Sequence, residues 1–78
     1  METEDLLKVS AVRRLVVSGK LRERRMALHL SAREMASSIS VSPAAVCTWE
    51  SGRNLPRPDA ALRLAKILGV TADALETA

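Results

Sequence analysis

A chain of 78 residues is long enough for one hydrophobic core and too short for two, so residues 1–78 are expected to form a single domain. Apolar residues make up 47% of it and aromatic residues only 1%, so the core has to be built from Leu, Val, Ile, Met and Ala around the lone Trp49, a palette that favours helix on helix. The formal net charge of +3 suits an anionic partner. One cysteine, Cys47, excludes an internal disulfide, and with His29 as the single histidine a zinc site is not expected, nor is any cofactor.

The start METEDLLK is acidic, unlike a secretory signal, and no apolar run approaches the roughly 18 residues of a membrane span. A cytoplasmic protein without a membrane partner is expected. From about residue 5 to 18 the spacing of Leu6, Val9, Val12 and Val16, with Leu7, Ala11 and Leu15 beside them, predicts a helix capped by Thr3 or Asp5. Its simplest role is to cover the rest of the domain, with a dimer contact as the alternative. Ser18-Gly19 interrupts it. A second helix follows from about Lys20 to His29, with Leu21 and Leu28 inward and arginines outward. Residues 8–25 carry Lys8, Arg13, Arg14, Lys20, Arg22, Arg24 and Arg25 against the single acid Glu23, a basic stripe whose bland reading is a solvated helix face.

Ser31-Ala32-Arg33-Glu34 has the pattern of a capping box and opens a third helix that presents Met35, Ala36 and Ile39 on one side. Ser42-Pro43 opens a fourth, with Ser42 as cap and Pro43 at the first helical position, where its missing amide costs nothing. Val46 and Trp49 face inward and Gly52 ends the helix. Pro56 and Pro58 make residues 53–58 a rigid connector. Pro58-Asp59 starts a fifth helix with Ala61, Leu62, Ala65 and Leu68 on one stripe, closed at Gly69, and Thr71 caps a final turn over 72–76 that tucks in Leu75. With no strand-like alternation, the fold class is all-α: a compact bundle of five to six helices.

Residues 31–51 meet the demands of a helix-turn-helix: a small residue, Ala36, where the helices touch, a short turn at Ser40-Val41-Ser42, and Met35, Ile39, Val41, Val46 and Trp49 to bury the inner faces. This pattern, with Trp49-Glu50-x-Gly52, Pro56 and the downstream ALRLAKILGVTADALE, resembles the Cro and phage-repressor (XRE) type of helix-turn-helix, over roughly Leu21 to Glu76. The resemblance implies a lambda-repressor-like fold and a small phage or bacterial regulator that binds a double-stranded DNA operator, with a homodimer on DNA as an open alternative and no small-molecule ligand. It places the protein in the bacterial cytoplasm at the nucleoid. It also implies base contacts from Pro43, Ala44 and Thr48, with Cys47 on the same outward face. These groups are short and largely apolar, so phosphate contacts from Ser31, Arg33, Ser42, Ser51, Arg53, Arg57 and Arg25 are expected to carry much of the affinity.

The sequence departs from the family at two places. The turn position usually held by Gly is Ser40, which strains a left-handed backbone, and the position often held by a phosphate-binding Gln is Ala32, where the Ser31 hydroxyl offers a partial substitute. The runner-up function is an antitoxin or other protein-interaction module on the same fold. No paired carboxylates, histidine cluster or phosphate loop supports an enzyme.

Overall fold

The computed structural model describes residues 2–70, and these fold into five helices: α1 (Thr3–Val17), α2 (Leu21–Ala27), α3 (Ala32–Ser38), α4 (Pro43–Glu50) and α5 (Pro58–Leu68). The described residues contain no strand, and the molecule is all-α as its composition predicts. The turn expected over 72–76, with Leu75, lies outside the described residues.

Each helix stops in the same way. A left-handed residue stands just after the C-cap at Gly19, His29, Ser40 and Gly52 and at the C-cap itself at Gly69, and two backbone bonds close each end. After α1, for example, the Gly19 amide donates to Val16 and the Lys20 amide to Leu15, which satisfies carbonyls the helix itself leaves open. Glycine takes that conformation without strain. His29 (φ 57°) and Ser40 (φ 60°) hold it with a side chain present. The following residues help to close the turns: the Val41 amide donates to the Ala36 carbonyl and the Leu30 amide to the Arg25 carbonyl, both residues are half-buried, and Val41 also packs against the core.

One contiguous core runs through the bundle. Val9, Val12 and Val16 of α1, Leu21 of α2, Met35 and Ala36 of α3, Val46 and Trp49 of α4, and Leu64, Ala65 and Leu68 of α5 are all buried in it, and Ile39 and Pro56 join from the loops. Each large aliphatic side chain so buried contributes about 1.5–3 kcal/mol. The main packing pairs are α1 on α5 and α3 on α4. Ala60, Ala61 and Ala65 give α5 a small-residue surface against which a neighbouring helix can settle closely.

Three expectations are corrected by the packing. α1 starts at Thr3 with Glu2 before it, and no side chain caps it. α2 ends at Ala27 rather than His29, and Leu28 is 45% exposed instead of inward. The left-handed turn at His29 rotates the chain there, so the helical register that pointed Leu28 at the core ends one residue before it. On α1 the inward stripe is Val9, Val12 and Val16, whereas Leu6, one turn before Val9, is 52% exposed.

Candidate nucleic-acid interface

The α3–α4 segment is built from local bonds that its sequence dictates. The Glu34 amide donates to Ser31 Oγ at 3.0 Å and the Ser31 amide donates to Glu34 Oε1 at 2.9 Å, completing the capping box. The two bonds hold the Glu34 carboxylate charged and its pKa below the ordinary value, the bond from the Ser31 backbone amide contributing most. Ala36 has no exposed surface, as the crossing of two helices requires. At the head of α4 the Ala45 amide donates to Ser42 Oγ at 3.1 Å, with Pro43 in the first turn.

On α4, Val46 and Trp49 are buried while Pro43, Ala44 and Cys47 are exposed, with Thr48 half-buried beside them. The hydroxyls along this edge are not equivalent. Thr48 Oγ1 donates to the Ala44 carbonyl at 2.8 Å and Ser51 Oγ donates to the Thr48 carbonyl at 2.8 Å, so both spend their proton within the helix and present a lone pair outward. Ser31 and Ser42 instead accept from backbone amides and keep their O–H free to donate. Arg33, Arg53 and Arg57 are exposed and make no side-chain ion pair among the described residues.

Arg25 does not belong with them. Its Nε donates to Glu50 Oε2 at 2.6 Å, Nη2 to Glu50 Oε1 at 3.1 Å and Nη1 to the Leu30 carbonyl at 2.7 Å. The side chains of Arg25 and Glu50 are only 11% and 10% exposed. The hydrogen bond to Glu50 raises the guanidinium pKa above its ordinary value against the opposing effect of burial. Three of its five N–H groups are spent on a carboxylate and a carbonyl, an internal tie between α2 and α4 that leaves little of the side chain exposed for the expected phosphate contact. Arg63 was not singled out by sequence at all. It donates to the Ile39 carbonyl at 2.7 Å and pairs with Asp59 at 2.8 Å, fastening α5 to the end of α3. The only local signal was the Asp59–Arg63 spacing of four.

No helix among the described residues is long and apolar enough to cross a membrane. No curated protein and no solved structure gives a match to the chain. A family model described as "Helix-turn-helix domain" matches residues 16–78, most of the chain and all of the α3–α4 unit. The chain therefore belongs to the helix-turn-helix domain family, a DNA-binding class, in agreement with its resemblance to the Cro and phage-repressor type.

Proposed function

We propose that the protein is a sequence-specific transcriptional regulator, a Cro-like repressor that lays α4 in the major groove of an operator in a bacterial cytoplasm. The observation that carries this reading is the division of α4 into a buried edge, Val46 and Trp49, and an outer edge of exposed Pro43, Ala44 and Cys47 with half-buried Thr48, while Arg33, Arg53 and Arg57 are exposed and form no ion pair among the described residues. Ala44 and the Thr48 methyl suit thymine methyl groups, and the Thr48 oxygen, its proton already donated, acts toward a base as an acceptor. Ser31 and Ser42 donate to phosphates, Ser51 does so by turning its hydroxyl away from the Thr48 carbonyl, and the three arginines supply the charge.

Such a face discriminates by shape and methyl contact, and leans on phosphates for affinity. Titration of the chain with the best duplex from a randomised pool and with random duplex tests it. Thr48→Ala weakens the selected duplex more than the random one, whereas Arg53→Ala weakens both alike and flattens the salt dependence. Equal losses from the two changes, or binding indifferent to salt, would sink the assignment. The second reading, a protein-interaction module, draws on one observation, the apolar residues left exposed on α1, and predicts no enrichment from the pool.

A further inference from the structure

α4 lacks the side chains that make paired hydrogen bonds to guanine or adenine: Pro43–Glu50 holds no Lys, Arg, Asn, Gln or His. Glu50, its one long polar side chain, is tied to Arg25. The outer edge offers instead the methyl of Ala44, the soft thiol of Cys47 and, one turn after Ala44, both groups of Thr48. Residues four apart on a helix have Cβ atoms about 5–6 Å from each other, so the Ala44 and Thr48 methyls border one apolar patch. The Thr48 proton is already engaged, because Oγ1 donates to the Ala44 carbonyl at 2.8 Å in a bond exposed at the surface. Thr48 therefore presents a methyl and a hydrogen-bond acceptor side by side, from the same carbon.

We infer that the base read by these two groups is 5-methylcytosine, an inference that rests on the proposed DNA reading of α4. In the major groove thymine shows its C5 methyl next to O4, an acceptor, whereas cytosine shows the N4 amine, a donor, with no methyl beside it. Cytosine methylated at C5 puts methyl and donor next to each other on one base edge. Thr48 matches that edge group for group, methyl against methyl and Oγ1 accepting from N4. Against thymine the oxygen faces O4, and two acceptors repel unless the hydroxyl gives up the Ala44 carbonyl. The donor of a thymine–adenine pair lies on adenine, beyond O4, while the Thr48 groups leave a single carbon and meet neighbours on one base. Unmethylated cytosine satisfies the oxygen but leaves the apolar patch without a partner. The protein thus tells methylated from unmethylated copies of its site, and methylation of the DNA sets its occupancy.

A randomised duplex pool amplified with 5-methyl-dCTP in place of dCTP, and the same pool amplified with dCTP, are each selected on the full chain. The methylated pool is expected to yield the tighter site. Synthetic duplexes of that site then carry 5-methylcytosine, cytosine, thymine or uracil at the contacted position, each with its own pairing purine. Loss of the methyl is expected to weaken binding about fourfold, as one CH2 left in water does. Loss of the amine donor weakens it about fivefold, the effect of one net hydrogen bond, and uracil, which lacks both, loses about twentyfold. Thr48→Val keeps the methyl and removes the oxygen. It is expected to bind 5-methylcytosine and thymine equally while still preferring thymine to uracil, with its thermal midpoint showing that the fold is retained. The pairing purine changes alike for both proteins, so this comparison isolates the oxygen. Equal binding of methylated and unmethylated cytosine, thymine held as tightly as 5-methylcytosine by the parent chain, or a preference that survives in Thr48→Val overturns the inference and leaves the DNA reading standing. Enrichment from neither pool overturns both.

Discussion

Arg25 and Glu50, 25 residues apart, meet in a two-pronged ion pair with N–O distances of 2.6 and 3.1 Å that spans α2 and α4. With both side chains about nine-tenths covered, removing one partner strands the other's charge in a poorly solvated place. Arg25→Ala and Glu50→Ala are each expected to cost about 3 kcal/mol in urea unfolding. Arg25→Met combined with Glu50→Leu is expected to cost much less than the two alanine changes added together, because neither charge is then left alone. Additive losses would show that the pair is already well hydrated.

Ser40 holds φ 60° at the turn between α3 and α4, a conformation in which its Cβ crowds the backbone. Relief of that strain exceeds the added freedom of the unfolded chain, so Ser40→Gly is expected to stabilise by about 0.5–1 kcal/mol and raise the thermal midpoint by roughly 3–6 °C. Calorimetry checks the sign directly. His29→Gly is expected to gain less, since His tolerates the left-handed region better than Ser.

Glu34 accepts from the Ser31 amide at full strength only when charged, and its pKa is lowered in the folded chain. A depressed folded pKa means that the contribution is fully present above the ordinary carboxylate value and is lost as pH falls through the folded one. Glu34→Gln keeps an amide oxygen at the same place in the capping box but carries no titrating group. The acid limb of stability against pH is therefore expected to be shallower in the variant, and parallel curves for the two proteins would rule out the assignment.

Arg63 reaches across 24 residues to the Ile39 carbonyl, beside the turn that sets the angle of α4. The bond is charge-assisted but its side chain is 45% exposed, so Arg63→Ala is expected to cost about 1 kcal/mol. Lysine, with a single point of donation, is expected to recover part of that loss. Chemical denaturation of the two variants side by side measures both effects; equal stability of the parent chain and Arg63→Ala would remove Arg63 from the structural account.

What this sequence determines unaided is local. Ser31 with Glu34, Ser42 with Pro43, and the glycines at 19, 52 and 69 fix where helices start and stop, because each acts through bonds to residues three to five away. The core positions Val46 and Trp49 follow from helical spacing in the same way. Tertiary structure alone decided which arginines find distant partners: Arg25 and Arg63 are tied to groups 24 or 25 residues away, while Arg33 and Arg53 form no ion pair among the described residues. It also decided that Leu6 and Leu28, apolar and in register, lie outside the core. Periodicity specifies the face of a helix, but how far along that face a neighbour extends depends on the lengths and crossing of the other helices, which no local pattern contains.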